Sequence, residues 1–280
     1  MTDRVSLPVV SSAAATDFVH VSIEGPDGVV LHIDGNQKIS GWANPIPNAF
    51  SLVQIEDCPG STPTCRSSCY VAGLEAAAKS IHDLYRHNSK TIRMIIGSPH
   101  ASMWAILVAE YITEKCQISG FRWHVSGDLF SAEYTGWVAE VVARSPDVQH
   151  WIYTRSFMFT AAFVGLENIT INYSVDRDNY EHALPFVAAH AGVDSSVRLA
   201  YLVTDDGAVP SDLPPGSVLF PDYSLRGTRG EIPSIQRESS AWYRGLTPAQ
   251  RRMVCPTDFY GKSPVRVCGP CTKCILPPSL

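Results

Sequence analysis

The sequence predicts an α/β fold in which helices cover a parallel sheet. From residue 50 onward, short apolar segments alternate with longer ones whose apolar residues recur at the period of a helix. The short segments are mostly apolar at consecutive positions, which is typical of strands buried on both faces. Polar clusters follow these segments, as expected where strand ends form a site. Such a chain folds as an open doubly wound sheet or as a full or partial barrel.

The composition is that of an ordinary folded protein. The chain has 280 residues, of which 45% are hydrophobic and 18% charged, enough for one large domain or two small ones. A net charge of -5 argues against a protein that grips nucleic acid with its whole surface. Residues 225–266 are basic, so a nucleic-acid contact through this tail is an alternative, but a solvated loop is favoured. No apolar run approaches a membrane span, so we expect a cytoplasmic protein without a membrane partner.

Three segments are expected along the chain. Residues 1–48 contain a β-hairpin, turning at Gly25-Pro26-Asp27-Gly28, that is expected to pack on or cap the main domain. Residues 49–220 form the βα units, with Ser131 as the N-cap of one helix and Ser145-Pro146 as its end. Residues 221–280 are interpreted as a cysteine-rich extension laid across that domain. The predicted strands are Ser51–Ile55, Ile92–Ile96, Phe121–Val125, His150–Tyr153, Ile169–Tyr173 and Arg198–Val203, with a seventh candidate at Val218–Phe220.

Three cysteines, Cys58, Cys65 and Cys69, follow the first predicted strand within one loop. In a reducing compartment, cysteines are more often metal ligands than disulfides. Three thiolates on a [4Fe–4S] cluster would leave one iron open to a substrate or cofactor, as catalysis requires. A fourth ligand from the tail would instead give one closed cluster joining both ends of the chain. Cys116 stands alone in a helical pattern and is interpreted as a core residue.

Four more cysteines lie near the C-terminus. Cys255 is followed by proline, and Cys268, Cys271 and Cys274 form two CxxC steps that share the middle cysteine. This run is typical of ferredoxin-type [4Fe–4S] ligands. Zinc is the alternative, since four thiolates also suit tetrahedral Zn²⁺, although zinc ribbons usually present two separate CxxC pairs. The sequence therefore predicts one or two clusters.

Polar side chains at the other strand ends are candidate ligand contacts. Arg155 could pair bidentately with a carboxylate or phosphate, and Asp128 and Asp176 could accept hydrogen bonds from ribose hydroxyls or an amine. Gly127 would let the backbone approach a ligand closely. We therefore predict catalytic roles for Asp128 and Arg155. The predicted cofactor-binding set is Ser126, Gly127, Asp128, Arg155 and Asp176. The alternatives are local: Asp128 as a turn residue and Asp176 paired with Arg177.

These residues also resemble a known family. A cysteine loop after the first strand, ending in Cys69-Tyr70 and heading a series of βα units, resembles the radical S-adenosylmethionine (radical SAM) superfamily with its (β/α)6 partial barrel. Cys58-Pro-Gly, His124-x-Ser126-Gly127-Asp128 and Tyr153-Thr154-Arg155 are similar to a group of bacteriophage-encoded, radical-SAM-like proteins, many from phages of actinobacteria. The resemblance covers roughly residues 38–275. It implies S-adenosylmethionine as a candidate cofactor, an electron donor as a partner, and a phage protein working in the host cytoplasm.

The chain departs from the superfamily pattern at two places. The usual cysteine loop is CxxxCxxC, whereas this loop has gaps of six and three residues, and Gly97-Ser98-Pro99 stands where a Gly-Gly-Glu-like segment is expected. Three hypotheses follow. The first is a radical-SAM-like iron–sulfur enzyme acting on a small molecule or nucleotide. The second is a non-catalytic [4Fe–4S] protein with a degenerate barrel, serving sensing, electron transfer or binding of a host component. The third is a zinc-stapled barrel acting on nucleobases.

Overall fold

The computed structural model has a mixed α/β architecture built on one open, eight-stranded sheet. The structure describes residues 18–36, 39, 46–190, 197–204, 207–222, 241–256, 268–271 and 273–276. Its strands follow one another across the sheet in chain order, from β1 at one edge to β8 at the other. The α/β class predicted from the sequence is therefore confirmed.

The N-terminal hairpin belongs to the main sheet. β1 (Phe18–Glu24) and β2 (Val30–Asn36) pair antiparallel around a 3-10 turn at Pro26–Gly28. β2 then pairs antiparallel with β3 through Asp34 and Ala49. Two strands alone are only marginally stable, and the contact between Asp34 and Ala49 joins the hairpin to the main sheet.

Six parallel strands form the rest of the sheet, and each pairs with the next one in the chain. Five of them overlap predicted strands, and each of their ends lies within two residues of the predicted end. One of the five is the seventh candidate at Val218–Phe220. The strands are β3 (Ala49–Phe50), β4 (Phe121–Trp123), β5 (His150–Thr154), β6 (Ile169–Val175), β7 (Val197–Val203) and β8 (Val218–Pro221).

Two predicted strands are wrong. Ser51–Ile55 is a loop that leaves the sheet directly after β3, and Ser51 Oγ donates to Asp34 Oδ2 over 2.9 Å instead of extending the strand. Ile92–Ile96 is the last turn and a half of a long helix, Lys79–Ile96. Ile81, Tyr85, Ile92 and Ile95 lie at helical spacing and are buried, so the amphipathic period prevails over the local apolar run. Gly97-Ser98-Pro99 therefore joins two helices and does not follow a strand.

The two helices predicted from their apolar period are confirmed. α4 (Ala101–Lys115) buries Trp104, and in α5 (Ala132–Arg144) Ser131 caps the N-terminus by accepting from the Tyr134 backbone N–H. Ser145 ends α5, as predicted. The other described helices are α1 (Pro63–Ser67), α2 (Tyr70–Ala77), α3 (Lys79–Ile96), α6 (Tyr180–His190), α7 (Ala241–Gly245), α8 (Pro248–Met253) and α9 (Cys268–Cys271).

The two faces of the sheet have different partners. On one face Trp123, Ile152 and Tyr173 pack in the main apolar core with the helices. The opposite face, called the tail face below, carries polar side chains that meet the end of the chain. They are Arg122, Tyr153, Thr170, Asn172 and Arg198, one position out of phase with the core residues.

Candidate functional site

The predicted catalytic and cofactor-binding residues lie at the C-terminal edge of the parallel strands. Asp128 follows β4, Arg155 follows β5 and Asp176 follows β6. The cysteine loop after β3 crosses this edge closely. A Cβ placed on Gly60 would lie 2.4 Å from the backbone oxygen of Arg155, so only glycine fits at the crossing.

Arg155 and Asp176 form a buried ion pair. Arg155 Nη1 lies 2.6 Å from Asp176 Oδ2, and their side chains are 9% and 0% exposed. Asp176 Oδ2 also accepts from Thr62 Oγ1 over 2.6 Å. Thr62 caps α1, because its Oγ1 accepts from the Cys65 backbone N–H over 2.9 Å. Asp176 is thus paired with Arg155, and Thr62 connects this pair to the cysteine loop.

Asp128 joins the ends of β4 and β5. Its Oδ2 accepts from the Arg155 backbone N–H at 2.8 Å and from Ser156 Oγ at 3.3 Å, and its Oδ1 accepts from the Leu129 N–H at 2.7 Å. Burial raises the pKa of Asp128, and these hydrogen bonds oppose the rise. Next to it, Gly127 has φ +78°, and a Cβ there would lie 2.5 Å from Leu52 Cβ. The space left by this glycine is used by the loop after β3.

The loop thiols, Cys58, Cys65 and Cys69, are free and share one environment. Burial raises the pKa of Cys58 well above its ordinary value, and Asp128 and the other two thiols add to the rise. Burial also raises the pKa of Cys65, while the Arg155 charge opposes it. Cys69 Sγ donates to Gln54 Oε1 at 3.1 Å. Asp128 and the other two loop thiols thus lie close to Cys58 and Cys65 at this edge.

The tail thiols, Cys255, Cys268, Cys271 and Cys274, lie at the tail face. Burial raises the pKa of Cys274 to about 11, Cys268 and Cys271 add to the rise, and a hydrogen bond with Tyr153 opposes it. Cys255 is 6% exposed and is held against the sheet edge by its backbone N–H, which donates to Leu219 O over 2.9 Å. Among the residues that the structure describes, no three His, Cys, Asp or Glu side chains form a group that could hold a single metal ion.

Comparison with known proteins identifies the family. The family described as Gene product 88 matches residues 30–275. The chain belongs to the Gene product 88 family. The Gene 88 protein of Mycobacterium phage L5 is 29% identical over 196 residues, covering 68% of this chain and 73% of that protein. The Gene 88 protein of Mycobacterium phage D29 is 29% identical over 175 residues, covering 60% and 67%. No solved structure matches the chain.

The Gene product 88 match contains every predicted site residue, from Cys58 to Cys274. Both sets of cysteines and the polar strand ends therefore lie inside the family region. The predicted resemblance to a phage protein family is confirmed at this level. In the part of the chain that the structure describes, no helix is long and apolar enough to cross a bilayer.

Three site residues were missed by the sequence analysis. Thr62 followed by Pro63 is a helix-start signal that could have identified the cap of α1.

Asp57, next to Cys58, is fully buried and accepts from Arg93 and from Ser89 Oγ at 2.5 Å, which ties the loop to α3. Glu75 on α2 is 7% exposed and lies 2.7 Å from His82 Nδ1 and 3.4 Å from Ser126 Oγ. A helix carboxylate is usually exposed, so no sequence signal pointed to Glu75.

Only part of the predicted basic tail is described. Arg226, Arg229 and Arg237 lie outside the described residues. Arg251 makes local contacts, donating to the backbone oxygens of Tyr243 at 3.2 Å and Arg244 at 2.7 Å. These contacts hold α7 to α8.

Proposed function

We propose that this protein is an iron–sulfur protein whose loop thiols hold a [4Fe–4S] cluster at the C-terminal edge of the parallel sheet. The observation that carries the proposal is the meeting of Cys58, Cys65 and Cys69 with the buried pair Arg155–Asp176 at one edge. Functional groups of parallel α/β folds gather at this edge. Six parallel strands paired in chain order, β3 to β8, also support a (β/α)6 partial barrel of radical-SAM type. In this barrel the hairpin β1–β2 would continue the sheet beyond β3.

The electrostatics of the loop fit a cationic metal centre. Cys58 and Cys65 are partly buried and lie close to other acidic groups, and the neighbours that raise the pKa of Cys58, besides burial, are Asp128 and the two other thiols. Binding to iron cations would stabilise the thiolate forms that this environment otherwise disfavours. A cubane cluster takes one thiolate on each of three irons, which suits three cysteines in one loop and leaves the fourth iron open.

The surrounding residues would bind and orient a ligand at that open position. With S-adenosylmethionine bound, such a cluster supplies one-electron reductive cleavage of the sulfonium. Arg155 would attract a ligand carboxylate or phosphate, and the fixed geometry of its pair with Asp176 would orient that contact. Ser126 and Asp128 would contact a ribose or an amine. The substrate class is a small molecule or nucleotide, and a low-potential electron carrier is the required partner.

A non-catalytic role is the second candidate, and the hydrogen bonds of Asp128 favour it. Both of its oxygens already accept from protein donors: Leu129 N–H, Arg155 N–H and Ser156 Oγ. A carboxylate so fully bonded supports the fold whether or not a ligand is present. The cluster would then serve sensing, electron transfer or binding of a host component.

The test is metal analysis of anaerobically purified protein, followed by low-temperature EPR of the reduced protein with and without S-adenosylmethionine. We expect iron and sulfide in equal amounts, and a [4Fe–4S] signal that changes on adding S-adenosylmethionine. An unchanged signal would favour the non-catalytic candidate, and zinc without iron would contradict both.

Cysteine variants locate the cluster. Cys65→Ala with Cys69→Ala should remove the iron bound by the loop. Cys116→Ala is the matched control, because Cys116 is a buried cysteine outside both sets and should keep all the iron. If the double variant retains the same iron as the control, the loop thiols do not hold the cluster.

A further inference from the structure

The first strand forms an open edge of the sheet. β1 (Phe18–Glu24) stands at one end of the strand order, and among the residues that the structure describes no strand pairs with its outer side. Such an edge presents backbone N–H and C=O groups to any extended chain that comes alongside. Proteins that keep an edge free usually protect it with lysine, proline, a bulge or a short strand.

β1 carries none of these protective features. All seven of its residues pair one-to-one with residues of β2, so the strand has no bulge. It contains no lysine, arginine or proline, and its only acidic residue, Glu24, is the last one. Three of its seven residues are valine or isoleucine, which favour extended backbone. The strand is therefore long and regular enough to pair with a further strand on its open side.

The hydrogen bonds of His32 show which backbone groups of β1 face outward. The His32 N–H donates to Asn88 Oδ1 over 3.0 Å, and His32 O accepts from Asn88 Nδ2 over 2.9 Å. His32 therefore directs its backbone groups away from β1. Its cross-strand neighbour is Ser22, and opposite residues of an antiparallel pair either exchange both hydrogen bonds or both direct them outward. The N–H and C=O of Ser22 thus lie on the open edge, and by alternation so do those of His20.

The open edge combines these backbone groups with apolar surface. In the described part of the chain, the outward backbone groups of His20 and Ser22 have no hydrogen-bond partner, and both residues are only partly buried. On the other face of β1, Val21 and Ile23 belong to the main core, whereas Val19 is only partly buried. The apolar face of the hairpin therefore continues to the edge, where a further strand would cover it.

A second copy of β1 fits this edge. In an antiparallel pairing of two β1 strands centred on Val21, His20 lies opposite Ser22 of the second copy, and these two residues exchange both backbone hydrogen bonds. Val19 then lies opposite Ile23 of the second copy, so apolar residues meet apolar ones. Glu24 lies diagonally across from His20 of the second copy, so a carboxylate meets an imidazole and no like charges are opposed. Two-fold symmetry repeats each of these contacts.

We propose that the open edge of β1 is a dimer interface, at which two copies of this chain pair their β1 strands antiparallel. The two eight-stranded sheets then form one continuous sheet. An extended segment of another protein could use the same backbone groups, but the self-complementary register of β1 favours a second copy. The inference goes beyond the proposed function and does not depend on any metal centre.

The first experiment measures the oligomeric state of the full chain by sedimentation velocity over a range of protein concentrations. We expect a dimer that dissociates on dilution. Ser22→Pro removes an outward N–H but no hydrogen bond to β2, and proline is tolerated at such edge positions. It should raise the dissociation constant about thirtyfold, since by symmetry two hydrogen bonds are lost, each worth roughly fivefold.

Ser22→Ala is the matched control for this variant. It removes the Ser22 hydroxyl, which lies 3.0 Å from His32 Nδ1, and keeps the N–H, so it should dimerise like the parent. A parent protein that stays monomeric up to about 100 μM overturns the proposal. So does a folded Ser22→Pro variant that dimerises as tightly as Ser22→Ala, with circular dichroism as the check of the fold.

The second experiment locates the interface in the parent protein, so it remains informative if Ser22→Pro folds poorly. Hydrogen–deuterium exchange followed by NMR at low and high protein concentration reports which amides the dimer covers. We expect the His20 and Ser22 amides to exchange about tenfold more slowly in the dimer, whereas the Val21 amide, which faces β2, is protected in both states. If the protein dimerises while the His20 and Ser22 amides keep their exchange rates, another surface forms the dimer and the proposal is overturned.

Discussion

His124 occupies a backbone conformation that few residues other than glycine adopt. Its φ is +60°, its side chain is 2% exposed, and its Nε2 lies 2.8 Å from the Tyr134 hydroxyl. Burial lowers the pKa of His124 to about 3, so the folded protein holds a neutral ring. The unfolded chain takes up a proton below about pH 6.5. The free energy of unfolding should therefore fall as the pH drops from about 6.5 towards 3, by about 1.4 kcal/mol per pH unit for this histidine.

In His124→Asn the free energy of unfolding should depend less steeply on pH, because one fewer side chain takes up a proton on unfolding. Asparagine tolerates the left-handed backbone better than other residues. Urea unfolding at several pH values between 4 and 7 would compare the slopes of parent and variant. Buried groups such as Asp34, whose pKa burial raises to about 7, titrate in both proteins and cancel in the difference. His182→Asn, at an exposed histidine, is the control. If the slopes of parent and His124→Asn are equal, His124 does not stay neutral in the folded protein.

The Arg155–Asp176 pair should behave as a buried ion pair. Removing one partner leaves a buried charge uncompensated, so we expect Arg155→Met to lower the free energy of unfolding by about 3–5 kcal/mol. Arg155→Met combined with Asp176→Asn should be less destabilised than the sum of the two single variants. Denaturant unfolding of all four proteins completes the cycle. Additive losses would show that the two side chains act independently.

At the scale of elements, the sequence located most strands, and the failures have physical causes. β5 to β8 were predicted because they are continuous apolar runs between turn signals. Ile92–Ile96 has the same local composition, but its apolar residues continue a period that begins at Ile81 within α3. A short apolar run does not by itself distinguish a strand from a helix, because both buried strands and buried helix turns contain such runs. The result is a helix hairpin, α3 and α4, where a βα unit was expected.

The candidate site was predicted less completely than the sheet. Asp128, Arg155 and Asp176 were found because they follow strands, and strand order brings such residues together. Thr62, Asp57 and Glu75 lie on the loop and helices after β3. Their burial depends on how these elements fold back on the sheet, which no local pattern reports.

The cap of α1 links an element to the site. Thr62→Val removes the hydroxyl that accepts from Cys65 N–H and donates to Asp176. We expect a loss of about 1 kcal/mol for the cap alone, with a further loss from Asp176. Thr247→Val is the matched control, since Thr247 caps α8 in the same way. Denaturant unfolding and iron analysis should show iron loss only for Thr62→Val. If both variants lose similar stability and keep all their iron, the cap of α1 has no role in iron binding by the loop thiols.

At the scale of the whole molecule, the end of the chain completes the fold. Its backbone oxygens accept from side chains of two strands, β6 and β7, and Ile275 is buried with Ala49, Val125 and Trp151 on the tail face. These donors would otherwise face an apolar interior without partners. The polar residues Thr170 and Asn172 of β6 thus bind partners that the local sequence pattern does not reveal, because those partners are roughly 100 residues away in sequence.

Ile275 and Leu276 provide a direct test of this arrangement. Ile275 is 6% exposed and Leu276 is 47% exposed, although they are adjacent in the chain. Ile275→Ala should lower the free energy of unfolding by about 2–4 kcal/mol, since it leaves a cavity against the sheet. Leu276→Ala should change it by less than about 0.5 kcal/mol, as for most surface substitutions. Denaturant unfolding measures both, and Trp151 fluorescence would report the packing locally. If both variants have the same free energy of unfolding as the parent, the end of the chain does not pack on the sheet.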